Sequence, residues 1–104
     1  MKEALTSKED FYDRKIAPEL MRLAKLCAGE GLGFLAAVEY EPGSLAETCA
    51  LPEGAGVGIR IAQAAVKANG NFDSLAIAVA RYAKEHGHTS MVLKQMGIPE
   101  RTAP

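Results

Sequence analysis

At 104 residues, with 48% hydrophobic and 24% charged side chains, the chain has the length and composition of one ordinary globular domain. No apolar run approaches the roughly 18–20 residues of a membrane span, and Met1-Lys2-Glu3-Ala4-Leu5 lacks the apolar core of a secretion signal. A net charge of −1 does not demand a polyanionic partner, and two widely separated cysteines fit a reduced, cytoplasmic setting. The expectation is a single domain over residues 1–104, with 1–6 and 100–104 as loose ends.

The charge is uneven. Residues 1–53 hold six Lys/Arg and ten Asp/Glu, whereas residues 54–104 hold six and three. Such a dipole can orient two copies or offer opposite faces to a partner.

Ser7 is an N-cap candidate, with Glu9 and Asp10 in the positive first turn. From there Phe11, Ile16, Leu20, Leu23, Ala24 and Cys27 recur mostly at three- and four-residue spacing, which predicts an amphipathic helix of about six turns. Pro18 lies inside it and lacks a backbone donor, so it either kinks the helix or starts a second one. Compatible phasing on both sides favours one long kinked helix, ended by Gly29, Gly31 and Gly33.

Phe34 to Tyr40 switches to period two, the mark of a strand. Pro42-Gly43 suits the centre of a type II turn, and Leu45 to Leu51 returns. Pairing Tyr40 with Leu45 would set Val38 opposite Glu47, Ala36 opposite Cys49 and Phe34 opposite Leu51. One face is then mostly apolar and covers the helices, while Glu39 and Glu41 lie on the other. The ribbon's outer edges offer strand pairing between copies as a route to a dimer.

Three helices follow: one bearing Ile59, Ala62, Ala65 and Val66, a second from Asp73 as N-cap to about His86, and a short third from Met91 to about Met96. Ser74-Leu75-Ala76-Ile77-Ala78-Val79-Ala80 is apolar nearly all round, so the second of these is expected to be the central, enclosed helix. The fold class is α+β, in the order α-β-β-α-α-α.

Several residues are candidates for chemistry. The glycines of Gly54-Ala55-Gly56-Val57-Gly58 open a helix beside Arg60, a place where backbone N–H groups can hold a phosphate, but the spacing is neither that of a dinucleotide fold nor of a P-loop. The plainer role is a loop joining strand to helix. His86-Gly87-His88 can bind a metal or supply a base, although no further ligands stand at diagnostic spacing. More simply, His86 complements a helix C-terminus and His88 belongs to the connecting turn. Cys27 and Cys49 read as core or hairpin residues. Glu39, Glu41 and Glu47 gather on the hairpin with Glu53 beside it. Paired carboxylates can bind a divalent cation or do acid–base work, solvated strand residues are the simpler reading, and the first three are the acidic surface expected to meet a basic partner. The last helix offers Lys94 and Gln95, with Arg101 beyond it, to a nucleic acid, but the helix before it is too apolar to read base edges.

Ile16-Ala17-Pro18-Glu19-Leu20 leading through Cys27 into Phe34-Leu35-Ala36-Ala37-Val38-Glu39-Tyr40, together with Ala83-Lys84-Glu85-His86-Gly87-His88-Thr89-Ser90, resembles small accessory proteins of tailed phages and prophages. The resemblance covers most of residues 10–99 and contains no catalytic motif. It implies a protein that binds host or phage proteins, and it carries no site residues over.

The function expected is therefore non-enzymatic: an accessory protein, without cofactor or metal, that binds another protein and can form a dimer. No nucleophile, base and oxyanion donor assemble at persuasive spacing. A nucleic-acid binder using the basic C-terminal helices is the alternative. A metal or small-ligand site at His86, His88 and the 54–58 loop is a further one.

Overall fold

The structure, a computed structural model, describes residues 7–100. The ends expected to be loose, 1–6 and 101–104, lie outside the described residues, while Glu100 is inside them. The fold is α+β in the expected order. A long N-terminal helix is followed by an antiparallel hairpin of β1 (Phe34–Glu41) and β2 (Ser44–Ala50), then by α3 (Val57–Ala68), α4 (Phe72–His86) and α5 (Met91–Gln95). Among the described residues, no helix is long and apolar enough to cross a membrane. The chain forms two compact units, divided between Asn69 and Gly70.

In the first unit the N-terminal helix comprises α1 (Lys8–Phe11), a π-helical turn (Tyr12–Ile16) and α2 (Ala17–Gly29). Ser7 caps it, its Oγ accepting from the Asp10 N–H at 3.0 Å. Pro18 neither breaks nor divides this helix. A proline in mid-helix removes one donor and crowds the carbonyl four residues back, here that of Arg14. The chain responds by widening the turn just before it, and the Ala17 N–H reaches back to the Tyr12 carbonyl. The extra residue shifts the phase. Tyr12, 6% exposed, lies on the buried side with Ala24, while Phe11, where regular spacing begins the apolar stripe, is 53% exposed.

The hairpin departs from the simple register in a related way. Proline at the first turn position forbids the positive φ that the usual two-residue hairpin turns require there. Gly43 takes φ +86° at the second position instead. The twist of such a turn does not match that of the strands, and the mismatch is absorbed by an irregularity between Glu39 and Glu41, a bulge at Tyr40. Glu41 still pairs with Ser44, but beyond the bulge each partner moves by one: Glu39 with Leu45, Val38 with Ala46, Ala37 with Glu47, Ala36 with Thr48 and Phe34 with Ala50. The expected pairs Tyr40–Leu45, Val38–Glu47, Ala36–Cys49 and Phe34–Leu51 are therefore not formed. A shift of one residue changes faces, so Glu47 and Cys49 lie on the face opposite to Val38.

That exchange fits what covers each face. The N-terminal helix lies over the Val38 face, where the rings of Tyr12 and Tyr40 stack at 6.3 Å. On the other, α3 runs back along β2. A methyl group on Gly33 would touch Ile59 and Leu51, at 3.4 and 3.8 Å. Gln63 donates to the Cys49 Sγ at 3.3 Å, and the Lys67 ammonium stands 3.6 Å from Glu47. Residues 59, 63 and 67 thus follow residues 51, 49 and 47, because four helical residues and two strand residues both advance by about 6 Å. Ala62 and Ala65, expected in the apolar stripe, face solvent. Asn69 ends α3 in the left-handed conformation and donates to the Gly43 carbonyl at 3.0 Å, tying the helix end to the hairpin turn.

The second unit contains α4 and α5. Asn71, rather than Asp73, caps α4, accepting from the Ser74 N–H at 2.9 Å, and Ser90 caps α5, accepting from Leu93 at 3.1 Å. The expectation that α4 is enclosed on most sides fails. Ser74, Ala76 and Ile77 are exposed, Ile77 by 57%, and only Ala83 of this helix is buried. Its apolar residues meet at most a partial cover, and Ile98 is the other buried hydrophobic residue among those described in this unit.

Candidate functional site

Two backbone irregularities meet at one place in the first unit. The π-helical turn and the Tyr40 bulge both line an open cleft of about 430 Å³ at the tip of the hairpin. Lys8, Phe11, Tyr12 and Ile16 form the helix side; Val38, Glu39, Tyr40, Glu41 and Pro42 form the hairpin side. The floor is apolar and aromatic. Glu39 and Glu41 stand exposed at the rim, and a Glu39 carboxylate oxygen accepts from the Gly43 N–H at 3.2 Å, which restrains that side chain.

The three glutamates expected to share an acidic surface are separated by the structure. Glu39 and Glu41 belong to this cleft, whereas the Glu47 side chain, 21% exposed, is covered from the α3 side and faces Lys67. The charge dipole read along the chain also softens. Arg60 and Lys67 fold into the first unit, which then holds eight Lys/Arg against ten Asp/Glu, with four against three in residues 70–104.

Arg60 is committed to the loop before it, donating to the carbonyls of Pro52 and Glu53 at 3.0 and 3.2 Å. It closes the glycine-rich turn from within. His86 ends α4, stacks on Tyr82 at 4.2 Å, and donates through Nδ1 to the Tyr82 carbonyl at 3.1 Å. Both nitrogens of His88 are in use: Nδ1 accepts from the Ser90 N–H and Nε2 donates to the Ile98 carbonyl, each at 2.9 Å. This pattern selects the Nε2–H tautomer. The two imidazoles line a second open cleft with Thr89 and Glu100, but His88 there joins chain segments. Among the described residues, no three His, Cys, Asp or Glu side chains converge as a metal ion requires.

Cys27 and Cys49 are free thiols, half-buried, the second engaged by Gln63. The chain matches no protein-family model, no curated protein and no solved structure.

Phe11, Tyr12, Tyr40 and Pro42 are the site residues that sequence periodicity misses. The signals were present: a proline inside a helical pattern, and a proline at the first position of a two-residue hairpin turn. Each demands a local irregularity, and each irregularity brings an aromatic ring to the cleft.

Proposed function

We propose that this chain is a small non-enzymatic accessory protein of the cytoplasm that acts by binding another protein through the hairpin-tip cleft. One observation carries the reading: the π-helical turn and the β-bulge, features that recur beside functional sites, converge on a surface that joins exposed aromatic and acidic side chains. The groups best suited to chemistry are occupied elsewhere, Arg60 by loop carbonyls and His88 by two main-chain partners. The resemblance to phage and prophage accessory proteins makes a host or phage protein the partner class.

The test is capture from a bacterial lysate by the tagged protein and by its Glu39→Lys/Glu41→Lys variant, with mass spectrometry of what is retained. A protein held by the first and lost from the second supports the reading. Equal retention of the same proteins by both overturns it. A second copy is also a candidate partner, because β1 and β2 each leave one edge without a further strand among the described residues. Light scattering at high protein concentration reads this directly, and a strict monomer removes it.

A further inference from the structure

We infer that the hairpin-tip cleft takes a cationic side chain of the partner, an arginine or lysine flanked by apolar residues. This rests on the cleft being the docking surface and names what it recognises. The floor supplies apolar contact for a long aliphatic stem, as such stems require when only their charged end stays in water. Phe11, more than half exposed, and Tyr40 both line the cleft, so a cation entering it meets aromatic surface. Among the described lining residues the charged groups are the Glu39 and Glu41 carboxylates and the Lys8 ammonium, an excess of one negative charge. The bond from Gly43 holds the Glu39 carboxylate in place before any ligand arrives, which lowers the ordering cost of binding.

Other ligand classes fit worse. A carboxylate or phosphate would meet repulsion from both glutamates. A wholly apolar segment would cover Glu39 and Glu41 without supplying a partner, and a buried, unpaired carboxylate is strongly unfavourable. Charge complementarity therefore selects a basic segment. Arginine suits the site better than lysine, since a planar guanidinium can stack on a ring while bonding a carboxylate.

The experiment is a titration of the full-length isotope-labelled protein, followed by amide and side-chain chemical shifts. The probes are two capped pentapeptides, one with a single arginine between leucines and one with glutamine in its place. The arginine peptide is expected to bind roughly tenfold more tightly, with shifts confined to residues 8–16 and 38–43. Glu39→Gln/Glu41→Gln, which keeps the acceptor for Gly43, abolishes the difference. Phe11→Ala weakens the arginine peptide a few-fold, and Lys8→Ala strengthens it, opposite signs that general loss of folding would not produce.

Equal binding of the two peptides at the cleft, binding elsewhere, or no binding overturns the inference. It leaves the docking surface itself to the lysate comparison, in which Glu39→Lys/Glu41→Lys still loses the partner if only the assigned chemistry is wrong. If the retained proteins are also unchanged, both readings fail.

Discussion

Residues 7–69 hold a two-stranded ribbon covered on both faces, by the N-terminal helix on one and α3 on the other, whereas residues 70–100 hold two helices with little apolar cover. In the first unit, matched repeats fix the packing: helical residues 59, 63 and 67 keep step with residues 51, 49 and 47 of β2 and its end. In the second, a polar residue does much of the joining. His88 connects the α4–α5 link to Ser90 and to Ile98 through its ring, and to Glu100 through its main-chain N–H. The two units are therefore organised by different forces. Side-chain burial shapes the first, and directed hydrogen bonds with the burial of Ala83 and Ile98 shape the second.

This contrast can be broken at several points. Tyr12→Ala removes the buried ring that stacks on Tyr40 and is expected to destabilise the first unit by about 3 kcal/mol. Urea unfolding monitored at residues 34–50 would show this; a loss below about 1 kcal/mol would mean the helix–ribbon contact is not the organising one. Ile98→Ala should cost about 2 kcal/mol and speed amide exchange across residues 88–100. Exchange that rises equally in β1 would contradict the division at Asn69–Gly70.

His88→Ala leaves the Ser90 N–H and the Ile98 carbonyl without their partner and is expected to cost about 1–2 kcal/mol, again read in exchange of residues 88–100. A smaller effect than that of Lys67→Ala would remove the hydrogen-bonded description of the second unit. Gly43→Ala has open space for its methyl group but must adopt φ +86°, so about 1 kcal/mol is expected from conformation alone. Lys67→Ala removes a largely exposed ammonium from Glu47 and should cost only about 0.5 kcal/mol in thermal unfolding, most visible at low salt.

Much of the local structure was legible in the chain. The Ser7 cap, the Pro42–Gly43 turn and the two strands follow from residue types acting within a few positions of themselves. The register was not, because alternation in Phe34–Tyr40 fixes which residues share a face of one strand and leaves open which face meets its partner's. One bulged residue moved Glu47 and Cys49 to the α3 side, where Lys67 and the helix cover Glu47 and leave Glu39 and Glu41 of the expected acidic trio exposed. The burial of Tyr12 in place of Phe11 has the same origin, an added residue in a helical turn. Apolarity also misled in α4: a run of small and branched residues states a preference for cover and does not supply the covering surface.

The α+β order and most element ends can be read from the chain alone, since capping, turn chemistry and periodicity act over short separations. Which face of the ribbon each helix covers, and hence that three aromatic rings and two carboxylates line one cleft, was settled by tertiary packing. That choice depends on the summed packing of residues far apart in the chain, where a single inserted residue in a turn or a strand reverses what is inside and what is out.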